Sequence, residues 1–138
     1  MSEDLSFYSP AVLDHFLNPR NLGDIAHPDG FAEVGAAACG DIMRISLRIT
    51  NGRIDQAQFR TYGCGPAIAS SSITTELIQG RTVDEARGLT SQQIMAALGG
   101  LPPAKVHCSI LAEEAVKAAL GDYSHRQQTT LASAKRSG

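Results

Sequence analysis

The stretch Asp41–Tyr62 reads DIMRISLRITNGRIDQAQFRTY and decides the fold of this 138-residue chain. Every second residue of Met43–Ile49 is apolar and the residues between them are polar, which is the pattern of a half-buried strand. Asn51-Gly52 is a strong signal for a two-residue hairpin, and Arg53–Tyr62 returns as the partner strand. An antiparallel hairpin with one apolar face needs helices to cover that face.

The flanking sequence supplies a further strand and the helices. Phe31–Ala38 is predicted as a short strand, and the helical segments are predicted at Pro10–Leu17 behind an N-capping Ser9, at Pro66–Gln79, after Thr82, at Ser91–Leu98, and from about His107 to Leu120. In the second helix, Ala69, Ile73 and Leu77 form the expected apolar stripe. We therefore expect an α+β fold, with a three-stranded antiparallel sheet and helices packed on one face.

One domain accounts for most of the chain. Its length suits a single core, and no internal repeat or second domain is visible, so residues 1–123 are expected to form one domain. After Tyr123 the sequence is polar and aperiodic, and residues 124–138 are expected to form a mobile tail.

Composition narrows the class of protein. Hydrophobic residues make up 43% of the chain and charged residues 19%, which is typical of a globular protein. The formal net charge of −2 lacks the excess of positive charge that is typical of proteins that bind nucleic acid. Met1–Ser9 is polar and acidic, unlike a signal peptide, and no apolar run reaches membrane-spanning length. We expect a cytoplasmic protein with neither a nucleic-acid nor a membrane partner.

The three cysteines point to chemistry rather than to disulfides. They are odd in number and far apart, at positions 39, 64 and 108, and in a reducing compartment this favours free thiols that bind metal or react. Cys64 and Cys108 are both predicted near helix N-termini, where free amides and the helix dipole favour a thiolate.

Five side chains form a candidate ligand set: Cys39, Asp41, Cys64, His107 and Cys108. Three sulfurs with one nitrogen or oxygen suit zinc, or an iron–sulfur cluster with one non-thiolate position. Five candidates for four places allow a ligand to exchange, so that the site could release what it holds. Three other interpretations stay open: a purely structural role for the cysteines, a closed structural zinc module, and a cysteine hydrolase or transferase that uses His107 and Cys108 as a dyad.

The same residues, in this order, resemble the IscU/NifU-type iron–sulfur cluster assembly scaffolds. The matching segments are Asn18–Gly23, Cys39-Gly-Asp41, Gly63–Ser72 and Leu101–Ala112, which together span nearly the whole chain apart from the tail. The resemblance implies the fold of that family and a scaffold, rather than an enzyme, on which a labile 2Fe–2S cluster is built.

The resemblance also implies residue roles and partners. Cys39, Cys64 and Cys108 match the cluster cysteines, Asp41 the acidic residue that makes the site labile, and His107 the alternative fourth ligand. Cys108 matches the first acceptor of persulfide sulfur from a cysteine desulfurase, and zinc is expected where iron is absent. The cluster is expected to pass to apo iron–sulfur proteins. The loop Leu101, Pro102, Pro103, Ala104 and Lys105 matches the segment that an Hsp70-type chaperone grips with its J-protein.

Overall fold

The computed structural model describes residues 8–36 and 40–137, with side chains throughout these ranges except at residues 36 and 129–137. Its elements, in chain order, are α1 (Pro10–Leu17), β1 (Gly30–Ala36), β2 (Asp41–Thr50), β3 (Arg53–Tyr62), α2 (Gly65–Ile78), α3 (Val83–Arg87), α4 (Ser91–Ala97), a short 3-10 helix (Pro103–Lys105) and α5 (Val106–Ser137). The predicted α+β class is confirmed. Residues 1–7 of the polar segment Met1–Ser9 lie outside the described ranges.

The sheet is antiparallel, in the order β1-β2-β3. Asn51 and Gly52 both have positive φ, 54° and 74°, as the predicted two-residue hairpin requires. On one side of β2, Met43, Ile45 and Leu47 are completely buried beneath α2 and α5. The alternation in the sequence therefore predicts correctly which face the helices cover.

The opposite face of the sheet is crossed by the loop between α1 and β1. The Gly23 N–H donates to the Phe59 carbonyl at 2.8 Å, which attaches the loop to β3. Farther along, the Ile25 N–H donates to the Ser46 hydroxyl at 3.1 Å, over the middle of β2. The helices thus occupy one face, and a loop covers part of the other.

The buried side of α2 differs from the predicted apolar stripe. Ile73 and Leu77 are only partly buried, whereas the hydroxyl residues of the helix are fully buried: Ser70, Ser71, Ser72, Thr74 and Thr75. Their small side chains let α2 approach its neighbours closely, and several of the hydroxyls hydrogen-bond to other elements. The Ser71 hydroxyl meets that of Thr61 at 2.6 Å, for example.

The last helix, predicted from about His107 to Leu120, is longer in the structure, because α5 continues to Ser137. The division of the chain into a domain over 1–123 and a mobile tail stays a prediction. The added residues include Gln, Leu, Ala, Lys and Arg, which are good helix formers even without an apolar stripe. Arg126 pairs with Asp122 one turn earlier at 3.0 Å and donates to the Pro28 carbonyl at 2.9 Å. Among the helices of the described ranges, none combines the length and the apolar character needed to cross a bilayer.

Candidate metal centre

Three chain segments bring the candidate ligands together. Cys64 is the N-cap of α2, and its carbonyl accepts from the N–H groups of Ala67 and Ile68 in the first turn of that helix. Asp41 is the first residue of β2, and α5 begins one residue before His107. Both described thiols therefore lie at helix N-termini, as the sequence predicted.

The side chains of Cys64, His107 and Cys108 contact one another around the Asp41 carboxylate. Asp41 Oδ1 accepts from the Cys64 N–H at 3.2 Å, while Oδ2 lies 3.7 Å from Cys64 Sγ and 3.5 Å from His107 Nε2. Cys108 Sγ lies 3.7 Å from Cys64 Sγ and 3.6 Å from His107 Nε2. Residues up to 67 positions apart in the chain thus meet within one coordination sphere.

The network is buried on one side and open on the other. Asp41 and Cys108 are 2% and 0% exposed, whereas Cys64 and His107 are partly exposed. A pocket of about 400 Å³ opens onto them, and it is lined by Asp41, Gly63, Cys64, Ala104, Lys105 and His107. An ion or a reagent can therefore reach Cys64 and His107 directly from solvent.

The pKa values of the two thiols are shifted in opposite directions. Cys108 donates a hydrogen bond to Cys64, and this bond, with help from the Ala67 N–H and the charge of Lys105, lowers the pKa of Cys64 to about 6. The same bond, followed by burial, raises the pKa of Cys108.

These donors fit a thiophilic metal. Ligand atoms of Asp41, His107 and Cys108 lie within 4.8 Å of one another, and the Cys64 sulfur is adjacent. Two sulfurs, one imidazole nitrogen and one carboxylate oxygen are a set that zinc and iron both accept. Cys108 must lose its proton when a metal binds, so metal binding is coupled to proton release.

The remaining predicted site residues are placed differently. Cys39 lies outside the described residues, so the structure gives it no position. In the loop Leu101–Lys105, Pro103 and Ala104 are exposed, Leu101 packs against the core, and Lys105 lines the pocket.

Two further residues contribute to the site. Gly63 lies so close to Asp41 that a Cβ atom at its position would sit 2.0 Å from Oδ1. Lys105, expected to contact a partner, also lines the pocket with Cys64 and His107. The glycine before Cys64 was the available signal for the first, and the position of Lys105 two residues before His107 was the signal for the second.

Comparison with known proteins assigns the family. Residues 7–130 match the model of the NifU-like N terminal domain. Among curated relatives, the iron-sulfur cluster assembly scaffold protein IscU of Azotobacter vinelandii is 52% identical over 124 residues, covering 87% of this chain and 96% of the relative. The protein of the same name from Escherichia coli K12 is 48% identical over 125 residues, covering 88% and 97%.

The fold agrees with that assignment. The chain superposes on a SUF-system scaffold structure from Fervidobacterium islandicum AW-1 with a TM-score of 0.71, covering 86% of this chain and 99% of the other at 22% identity. Sequence, fold and the convergence of the ligand residues lead to one conclusion: the chain belongs to the family of NifU-like N-terminal domains.

Proposed function

We propose that this protein is a scaffold on which a 2Fe–2S cluster is assembled and from which the cluster is passed on. The observation that carries the proposal is the convergence of Cys64, Cys108, Asp41 and His107 at a pocket open to solvent. A structural zinc site is typically closed, whereas a site that must accept and release its cargo needs an opening. The relatives named as cluster assembly scaffolds support the same function.

In this proposal the thiolates bind iron and sulfide, and Asp41 and His107 compete for the last ligand position. Cys39 is the predicted third thiolate, two residues before Asp41 in the chain. Zinc is expected to occupy the site when iron is absent, because thiolate sites bind it readily. An oxygen ligand is a weaker partner for iron than sulfur is, so Asp41 is expected to make the cluster easy to release.

Sulfur is proposed to arrive as the persulfide of a cysteine desulfurase. A cysteine thiolate attacks the terminal sulfur, the donor's S–S bond breaks, a new persulfide forms on the scaffold, and the donor leaves as a thiolate. Cys108 is the predicted acceptor. Because Cys108 is buried and Cys64 lines the pocket, a donor must pass Cys64 to reach it.

The other proposed partners follow from the same role. Apo iron–sulfur proteins are the expected recipients, and the exposed Pro103 and Ala104 of the loop Leu101–Lys105 are where an Hsp70-type chaperone and its J-protein would bind. We place this assembly in the cytoplasm and assign the protein no catalytic turnover of its own.

The cysteine-hydrolase alternative has one observation in its favour, the 3.6 Å contact between His107 Nε2 and Cys108 Sγ. The geometry argues against it, because the same Nε2 also lies 3.5 Å from Asp41 Oδ2, whereas in a catalytic triad the carboxylate holds the other ring nitrogen. The contact is better explained by two ligands facing one metal.

Asp41→Ala tests the proposal. After anaerobic reconstitution with iron, cysteine and a desulfurase, we expect the variant to bind a cluster that survives roughly 10-fold longer under a chelator, a change of the size that altered ligand surroundings produce. Absorbance and Mössbauer spectra measure the amount and type of cluster. A folded variant that loses its cluster as fast as the unmodified protein contradicts the role of Asp41.

The matched control is Asp55→Ala, which removes an exposed carboxylate from β3. Its cluster lifetime should equal that of the unmodified protein. If the unmodified protein takes up no cluster at all under these conditions, the scaffold proposal itself fails.

A further inference from the structure

Lys105 is the one lysine among the side chains that line the pocket. The chain has two others, at positions 117 and 135. Lys117 already forms an ion pair with Glu113 at 2.8 Å on the far part of α5. Within the described ranges no carboxylate forms an ion pair with Lys105, so its charge is available to what enters the pocket.

The backbone holds Lys105 in a fixed position. Pro102 and Pro103 restrict the chain immediately before it, and the Lys105 N–H donates to the Pro102 carbonyl at 2.8 Å in the 3-10 helix. The next residue begins α5, which carries His107 and Cys108. The lysine stem therefore starts from a rigid base beside the ligands.

The pocket without Lys105 would be negatively charged. Asp41 is the one carboxylate, and Lys105 the one lysine or arginine, among the residues that line it. A negatively charged pocket would repel a persulfide, which carries a negative charge when it is ionised, and would attract divalent cations. Lys105 opposes both tendencies.

We propose that Lys105 is a positioning residue that draws the anionic sulfur donor into the pocket toward Cys64 and weakens the binding of a bare divalent cation there. The inference rests on the proposed function and extends it to the order of events, since it favours sulfur delivery over adventitious metal. It is separate from the expected contact of Lys105 with a chaperone.

The first test compares two disulfide reagents on Lys105→Gln. The dianion 5,5′-dithiobis(2-nitrobenzoate) and the neutral 4,4′-dithiodipyridine react alike: a thiolate attacks one sulfur, a mixed disulfide forms and an aromatic thiol leaves. Peptide mapping measures modification of Cys64. A change in Cys64 ionisation affects both reagents equally, so the ratio of their rates isolates the charge of the pocket.

We expect the ratio of anionic to neutral rates to fall about fivefold in Lys105→Gln at low ionic strength, and the difference to shrink at about 0.5 M salt. Lys105→Arg should keep the ratio, and the matched control Lys117→Gln should not change it. A ratio that is unchanged in Lys105→Gln, or that falls equally in Lys117→Gln, overturns the proposal.

The second test uses zinc alone, at the same pH for every variant. Lys105→Gln should bind Zn²⁺ more tightly by competition with a chromophoric chelator, because a repelling charge has been removed. Damage to the fold would weaken zinc binding, so the expected sign excludes a merely structural effect, and weaker binding overturns the proposal. A chain that accepts no persulfide sulfur yet shows both effects would contradict the proposed function rather than the role of Lys105 in the field of the pocket.

Discussion

At the scale of single residues, the site depends on how closely Gly63 approaches Asp41. A Cβ atom on Gly63 would lie 2.0 Å from Asp41 Oδ1 and 3.2 Å from Asp41 Cα. Gly63→Ala must therefore displace the buried carboxylate, which leaves the Cys64 N–H without its acceptor. We expect a loss of about 1–3 kcal/mol in the free energy of unfolding and zinc binding weaker by roughly 10-fold or more. Urea denaturation and chelator competition measure the two effects.

The control for this prediction is Gly121→Ala in α5. A Cβ atom there would meet nothing within 4 Å, and alanine favours a helix by about 0.5–1 kcal/mol over glycine. This variant should be slightly more stable and bind zinc normally. If Gly63→Ala keeps normal zinc affinity, the carboxylate has room to move and the close approach is not what positions it.

At the scale of elements, His15 joins α1 to α2. Its Nδ1 lies 2.8 Å from the Ser72 hydroxyl and its Nε2 lies 3.4 Å from Glu76 Oε1. Burial, followed by the charge of Arg20, lowers the pKa of His15, and Glu76 offsets this only in part. The native state then binds fewer protons than the unfolded state, so stability should fall as the pH drops through about 6.5 toward the lower native pKa, at about 1.4 kcal/mol per unit of pKa difference.

Urea denaturation between pH 8 and pH 5 tests this link. At pH 8, His15→Gln should be less stable than the unmodified protein, because the substitution removes the hydrogen bond to Ser72. On acidification, however, the variant should lose less stability than the unmodified protein does. His125→Gln removes an exposed histidine and should leave the pH dependence unchanged. An equal loss on acidification in His15→Gln and the unmodified protein would assign the effect to other groups.

Local sequence patterns predict some elements of this fold and fail to predict the packing of others. The hairpin of β2 and β3 is predictable because alternation and Asn51-Gly52 are local signals. The buried side of α2 is not, because the partners of its hydroxyls are distant in sequence: Ser72 also accepts from the Arg20 N–H, 52 residues earlier. The continuation of α5 past Tyr123 was missed for a different reason, since helix propensity acts there without an apolar stripe.

At the scale of the whole molecule, the sequence identifies the candidate ligands by their chemistry but does not predict the space around them. Sulfur, imidazole and carboxylate are recognisable in the sequence, and helix-start signals place Cys64 and Cys108 at N-termini. The approach of Gly63 and the direction of Lys105 depend on how three segments pack. A local sequence pattern does not predict the distance between segments that are far apart in the chain.

The fold of the whole molecule should not depend on a bound metal. The core is apolar and centres on residues such as Met43, Ile45 and Phe59, which are 0–1% exposed and lie outside the ligand set. Metal removal should therefore leave the far-UV circular dichroism and cooperative unfolding largely intact. Zinc should then raise stability only by mass action, about 4 kcal/mol at a free concentration 1,000-fold above Kd. Cys64→Ser should abolish most of the zinc-induced rise in Tm and change the metal-free Tm little. A chelated protein with the spectrum of an unfolded chain would instead identify a structural zinc module, whose folding and metal binding are one event.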